Sequence, residues 1–173
     1  MRIALVADTH GHLDPRIAGI ARTADRVIHA GDIGGDSILA ALHPDPACVF
    51  VVSGNNDTER HWPAGDRRLL AALPASLELD LPGGRIAVVH AHRLRARDRH
   101  VRLRAQFPHA RAIVYGHSHR LALDTEAEPW VLNPGAAGHT RTHGGPACIV
   151  LTAAADAWDA EAVRFEPARG RRR

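Results

Sequence analysis

Seven residues with metal-binding side chains each follow a short apolar run. Asp8 and His10 come after residues 3–7, Asp32 after 27–30, Asn55 after 48–52, His90 after 86–89, and His117 with His119 after 112–115. Two carboxylates, four imidazoles and one amide make a set of oxygen and nitrogen donors without a thiolate. Such a mixture suits borderline to hard divalent ions: Mn, Fe, Zn, Co or Ni. Singly, the members are weak. Asp-x-His at 8–10, Gly31-Asp32 and Gly54-Asn55-Asn56-Asp57 are ordinary turn or cap sequences, and the alternating histidines of Tyr115-Gly116-His117-Ser118-His119 could be a solvated pair. Their weight comes from the recurrence of one pattern along a chain of 173 residues.

The runs are rich in Val and Ile, too short for independent helices, and bounded by Gly or polar residues, as buried strands are. In an α/β sheet, ligands bind in the crevice beyond the carboxyl ends of the strands, so residues that follow several strands converge in space. Along the chain we read a strand at 2–7, a helix at 14–22, a strand at 26–30, a helix at 36–42 and a strand at 48–53. This βαβαβ order predicts a parallel sheet. Residues 58–75, with Pro63, Gly65 and Pro74, read as loop with at most one short helix. The second half opens with a hairpin of 76–80 and 85–90 around Leu81-Pro82-Gly83-Gly84. A helix at 98–106 follows, with Asp98 as N-cap and Pro108 beyond its end, then a strand at 112–115. Segments 121–125, 130–132, 147–152 and 160–166 read as short strands. Donors drawn from both halves predict two packed sheets with helices outside.

A chain of this length with 45% hydrophobic residues forms one domain with its own core. We take residues 1–167 as that domain and 168–173 as a basic, disordered tail. Arg169, Arg171, Arg172 and Arg173 supply four units of a formal net charge of +3, so residues 1–168 carry a formal −1. Basicity belongs to the tail, which argues against nucleic acid as a stable partner. The sequence contains no lysine, which excludes a Schiff-base mechanism and a Walker-type phosphate loop. Cys48 and Cys148 sit inside apolar runs and read as buried free thiols in a reducing compartment. No run approaches the roughly 18 apolar residues of a membrane span, and the first is too short for a signal-peptide core, so the expected location is the cytoplasm.

In chain order, Asp-Thr-His, Gly-Asp, Gly-Asn-Asn-Asp, His-Ala-His and Gly-His-Ser-His resemble the calcineurin-like metallophosphoesterases, closest to their small bacterial and archaeal phosphodiesterase branch. Asn133-Pro134-Gly135-Ala136-Ala137-Gly138, followed by Arg141, is similar to the Asn-Pro-Gly-Ser stretch ending in Pro-Arg of that branch. The resemblance runs over nearly the whole chain. It implies an α/β fold, a four-layer α/β/β/α sandwich of two mixed sheets with flanking helices. It also implies two divalent metal ions per chain, Mn first, with Fe, Zn, Ni or Co as alternatives. One ion would be held by Asp8, His10, Asp32 and His119, the other by Asp32, Asn55, His90 and His117, with Asp32 shared. The implied activity is hydrolysis of a small phosphate ester, a diester by preference, through a hydroxide generated between the ions. Asn55 would help to stabilise charge on the phosphoryl oxygens.

Three positions depart from the family pattern. Asn56 stands where many members of the wider superfamily carry a histidine that protonates the leaving oxygen, and an amide gives up no such proton. We therefore expect a preference for esters with acidic leaving groups, or a proton from water, His12 or His92, with His92 the catalytic candidate. Ala91 replaces the glycine between His90 and His92, at little cost unless that backbone has positive φ. Ala136 and Thr140 replace the Ser and Pro of the Asn-Pro-Gly loop. His29, inside a strand run, reads as a packed histidine rather than a ligand. Arg93, Arg95, Arg97, Arg99, Arg102 and Arg104 read chiefly as the solvated face of a helix whose apolar side is Leu94, Val101 and Ala105. Arg93, directly after His92, is the exception that could meet a phosphate. Two other functions suit the same fold: a non-enzymatic scaffold, as the retromer subunit of this fold is, and a nuclease acting on single-stranded or cyclic nucleotides. The intact donor set speaks against the first, and the near-neutral body against the second.

Overall fold

Both faces of the first strand are apolar: Ile3, Leu5 and the following Ala7 alternate with Ala4 and Val6, and all five are buried. A strand covered on both sides must lie inside a layered stack. The computed structural model describes residues 1–167 and has this architecture. The chain order is β1 (Arg2–Val6), α1 (Pro15–Ala21), β2 (Arg26–His29), α2 (Asp36–Leu42), β3 (Val49–Val51), α3 (Arg67–Ala72), β4 (Ser76–Leu81), β5 (Gly84–Val89), α4 (Arg99–Gln106), β6 (Ala112–Tyr115), β7 (Ala122–Asp124), β8 (Trp130–Asn133), β9 (Ala147–Ala153) and β10 (Trp158–Arg164).

Two mixed five-stranded sheets result, ordered β10-β9-β1-β2-β3 and β4-β5-β6-β8-β7. Each has a parallel trio. In the first, β1, β2 and β3 run parallel and β9 pairs antiparallel with β1, so that Leu5 stands between Ile28 and Ile149. In the second, β5, β6 and β8 run parallel, with Val88, Val114 and Leu132 in register. Ile3, Leu5, Ile28, Ile149 and Leu151 meet Ile86, Val88, Val114 and Leu132 between the sheets. On the outer face of the first sheet, Val6 and Val27 pack against Ile17 and Ala21 of α1 and Leu42 of α2. On the outer face of the second, Ile113 and Val131 pack against Leu103 of α4 and Phe107. The layers are therefore α/β/β/α. Among the described residues, no helix is long and apolar enough to cross a membrane.

Local expectations hold for most elements and fail at α4. Asp14 caps α1 by accepting from the Arg16 amide, but Asp98 makes no cap. A single 3₁₀ turn at Ala96–Asp98 leads into α4, and the Asp98 carboxylate instead accepts from Arg102 Nε at 2.8 Å. Val101 is 72% exposed, and Leu103 is the residue buried against the sheet. Arg99 is buried too, its guanidinium on the Leu94 carbonyl at 3.1 Å and over the Tyr115 ring at 5.5 Å, so it is no part of a solvated face. Arg104 likewise binds Asp124 at 2.7 Å. Cys148 is buried and free as expected, whereas Cys48 ends a 3₁₀ turn and is only half-buried. The arginine tail, residues 168–173, lies outside the described residues.

The loops that leave the parallel strands are laced to one another. Asp8, His10 and Gly11, after β1, donate their amides to the carbonyls of Gly31, Asp32 and Ile33, after β2, at 3.0, 2.9 and 2.8 Å. A third loop, after β3, is bound in through Asp57. Its Oδ2 accepts from the amides of Asp32 at 2.8 Å and Gly54 at 2.7 Å, and its Oδ1 from Ile33 at 2.8 Å, Gly34 at 3.3 Å and Trp62 Nε1 at 2.8 Å. This lacing holds backbone in the left-handed region, with φ of 53° at Asp8, 49° at His10 and 57° at Asp32; in the loop after β6, φ is 72° at His117 and 57° at His119. Ala91 shares it at 62°, so its substitution for glycine does carry strain.

Two stability measurements follow. Asp57→Asn leaves an amide NH2 facing backbone N–H donors, and should lower unfolding free energy by about 3 kcal/mol, because hydrogen bonds to a charged group contribute roughly 1.5–3 kcal/mol each. Denaturant titration with an unchanged slope would report it; a loss below about 1 kcal/mol would contradict the clasp. Ala91→Gly should raise stability by about 1 kcal/mol, since removing Cβ at positive φ relieves more strain than the added chain entropy costs. A lowered midpoint would show that the buried methyl matters more than the strain.

Candidate metal centre

The strand ends bring the seven expected donors to one rim of the sandwich, four from the first sheet and three from the second. Asp8 and Asp32 are buried carboxylates, and His90 and His119 are buried imidazoles. Two clusters have donor atoms within 4.8 Å of one another: Asp8, His10 and His119, and Asp8, Asp32 and His90. His10 Nε2 lies 3.1 Å from His119 Nε2, with the rings stacked. The same Asp32 oxygen, Oδ2, faces His10 Nε2 at 3.7 Å and His90 Nε2 at 3.3 Å. Asp8 is common to both clusters, and its Oδ1 accepts from the His117 amide at 3.1 Å. Asn55 is exposed and joins the group through its Oδ1, 3.0 Å from His117 Nδ1.

Hydrogen bonds on the far side of each ring turn the imidazoles. His90 Nδ1 donates to the Ala30 carbonyl at 2.8 Å and His119 Nδ1 to the Thr140 carbonyl at 2.9 Å. With Nδ1 carrying the proton, the lone pair of the neutral ring is on Nε2, which faces the cluster. The scaffold leaves no room for change at Gly54, where a Cβ would collide with Asp32 Oδ1. Asn56 steadies the same carboxylate, donating through Nδ2 to Oδ2 at 2.7 Å and through its amide to Oδ1 at 2.8 Å. Its role here is to orient Asp32.

The electrostatics match a cation site. Burial lifts the Asp8 carboxyl to about 7, with the neighbouring Asp32 charge adding to the rise and His90 opposing it. Burial also acts upward on Asp32, but His90 and the two Asn56 donors outweigh it and hold this carboxyl below its ordinary range. His90 is raised: burial disfavours its charge, and the facing Asp32 carboxylate prevails. Burial lowers His10, His117 and His119, the last to about 4, which leaves them neutral near pH 7. Asp8 Oδ2 and His90 Nε2 are buried without any hydrogen-bond partner. Buried polar atoms are seldom left so. A carboxylate oxygen and an imidazole nitrogen in that condition, among further N and O donors, fit a divalent cation.

Other predicted residues fall on the rim or outside the site. His92 is exposed, its ring centroid 5.7 Å from that of His90 and 6.3 Å from that of His117, and burial lowers its pKa. His12 packs edge-on against His139 at 4.0 Å. His29 is a packed histidine: the Gly31 amide donates to its Nδ1 at 3.2 Å, and its Nε2 pairs with Thr9 Oγ1 at 2.8 Å. Arg141 brings a guanidinium to 3.1 Å from His119 Nε2. Asn133 holds the histidine loop, donating to the Gly116 carbonyl at 3.1 Å and to Ser118 Oγ at 3.0 Å. Asp57 is the residue the sequence reading passed over, because an acid closing a Gly-Asn-Asn-Asp turn looks the same whether it accepts one amide or several.

Residues 1–156 match the family model described as the calcineurin-like phosphoesterase superfamily domain. Among curated proteins no sequence matches. Several solved structures share the fold. Wild-type Vps29 complexed with Zn from Entamoeba histolytica superposes with a TM-score of 0.69 at 17% identity, covering 96% of this chain and 100% of that one. A predicted phosphoesterase from Streptococcus pneumoniae gives 0.66 at 23%, over 98% and 93%. An archaeal phosphodiesterase gives 0.69 at 21%, over 94% and 100%. With the family model spanning most of its length, the chain belongs to the calcineurin-like phosphoesterase superfamily.

Proposed function

We propose that this protein is a cytoplasmic, metal-dependent phosphodiesterase that hydrolyses small phosphate esters. The observation that carries the reading is the buried pair of unpartnered donors, Asp8 Oδ2 and His90 Nε2, among five clustered candidate ligands, Asp8, His10, Asp32, His90 and His119, with His117 and Asn55 beside them. Asp8, His10, Asp32 and His119 would hold one divalent ion and Asp32, Asn55, His90 and His117 a second, with Mn favoured over Fe, Zn, Ni or Co. Ions bound there supply Lewis acidity and make water a competent nucleophile near neutral pH. The chain's own residues do the rest. Arg141 and Asn55 border the donors and can meet phosphoryl oxygens as charge builds on them. Asn56 keeps the Asp32 carboxylate in place and offers no proton to a leaving group. His92, on the rim, is the remaining candidate donor, but burial lowers its pKa and favours the form with no proton to give. Diesters with acidic leaving groups, which depart without a proton, are therefore the favoured substrates. The complete donor set weighs against a scaffold of the same fold.

Purified protein supplied with Mn should hydrolyse bis(p-nitrophenyl) phosphate, and Asp32→Ala should lower kcat/KM by at least about a hundredfold. No hydrolysis with any of the five metals, or an unchanged Asp32→Ala enzyme, would refute the assignment. Metal affinity should also depend on pH. A cation must displace the proton that Asp8 holds up to about pH 7 and the proton that His90 retains above its ordinary range. Affinity should thus fall on descending below about 7, by about tenfold per pH unit for the Asp8 proton alone. Mn titration calorimetry between about pH 6 and pH 8 would show this, and a flat profile would contradict it.

A further inference from the structure

Beyond the donor cluster, the surface becomes strongly basic. A cavity of about 350 Å³ is bordered by Gly54, His90, His92, Arg93 and Leu94. A second, of about 370 Å³, is lined by Arg93, Leu94, Arg95, Arg97, Asp98 and Arg102. The two share Arg93 and Leu94, so one continuous wall leads from the candidate metal ligand His90 into a basin with four guanidinium groups and one carboxylate. One oxygen of that carboxylate is engaged, Asp98 Oδ2 accepting from Arg102 Nε at 2.8 Å, while its Oδ1 is buried without a partner, so the excess positive charge rests on Arg93, Arg95 and Arg97. Among the described residues, Arg93, Arg95 and Arg97 form no ion pair.

These three arginines do not fit the solvated helix face expected for them. They precede α4 at every second position, Arg93 in a turn, Arg95 in extended backbone and Arg97 in the 3₁₀ turn. Their segment is fixed. The Leu94 amide donates to the Ala91 carbonyl at 3.1 Å, and the buried Arg99 guanidinium donates to the Leu94 carbonyl, also at 3.1 Å. A pinned loop that gathers uncompensated like charges carries a repulsion that a polyanion relieves. Guanidinium forks match phosphate oxygens in pairs, whereas a single carboxylate would satisfy only one of them.

We propose that this basin is a subsite for a second phosphoryl group, so that the substrate is a small ester bearing at least one phosphate besides the one that is cleaved. The reading rests on the phosphodiesterase assignment for the cleaved phosphate, but the basin's affinity for phosphate does not. Arg95 and Arg97 are binding residues for the distal phosphate and have no part in the chemical step.

Two measurements test it. The first is calorimetric titration of inorganic tripolyphosphate into the chelator-treated, full-length protein. Binding weakened about tenfold in Arg95→Gln/Arg97→Gln and at least severalfold in Arg93→Gln supports the basin. Absent binding, or equal binding by wild type and variants of unchanged melting temperature, overturns it, whether or not the protein hydrolyses any ester. The second compares p-nitrophenyl thymidine 5′-phosphate with the same ester carrying a 3′-phosphate. The 3′-phosphate should lower KM about fivefold or more in wild type, and this ratio should collapse toward one in the double variant. Equal KM values for the two esters in an active wild-type enzyme overturn the subsite. Affinity that keeps rising from tripolyphosphate to a single-stranded oligonucleotide of about 20 nucleotides, and is lost in the double variant, would make the basin a nucleic-acid track and likewise overturn the small-ester proposal.

Discussion

The carboxylate of Asp57 is the constraint on which the candidate site depends. It gathers N–H groups from the loop after β2, from the loop after β3 and from the Trp62 ring, and so fixes the backbone that presents Asp32. Asp32 in turn is grasped by Asn56, from the same turn as Asp57. A tightly fixed carboxylate matters because a candidate metal ligand must hold its position against the repulsion of its neighbours. Asp8 and Asp32 share a site in which burial already disfavours charge on both. Without the clasp, the cheaper arrangement would be to let one of them swing into solvent.

Residues other than glycine occupy left-handed backbone at five of the donor positions, and the lacing accounts for three of them, Asp8, His10 and Asp32. Each costs roughly 1 kcal/mol or more. The hydrogen bonds between the loop after β1 and the loop after β2 leave no extended alternative. What the strain accomplishes is direction: Asp8 and His10, two apart, would share a face in extended backbone as well, but that chain would run on past the rim, whereas left-handed residues turn it sharply and keep both donors above the strand ends. Rigid elements beneath and strained turns above are a common division of labour at sites of chemistry.

Much of this was legible in the sequence, because burial on both faces of a strand leaves an uninterrupted apolar run, and the residue that follows is marked by its polarity. β1, β2, β5 and β6, with the donors after them, could be read this way. The two packed sheets followed from donors lying in both halves of the chain, and the family resemblance added the layer order α/β/β/α. Three features stayed hidden for physical reasons. Left-handed φ is invisible when the residue is Asp, His or Ala rather than Gly, as at Ala91. The register of α4 was misread because long arginine stems blur a helix's apolar stripe: Arg99 is buried beside Leu103, whereas Val101 faces water. Asp98 looked like a cap because it precedes the helix, but the 3₁₀ turn before it diverts its carboxylate to Arg102.

The donors come from two sheets that otherwise touch through apolar side chains between them. Asp8, His10, Asp32 and Asn55 hang from the first, and His90, His117 and His119 from the second, with His90 reaching across to the Ala30 carbonyl and the His117 amide to Asp8. Apolar contact resists separation but is indifferent to small sliding, since it has no preferred direction. The polar rim supplies that direction. It works as an alignment pin between two greased plates, and any shear of one sheet against the other by a fraction of a residue would scatter the cluster before it disturbed the core.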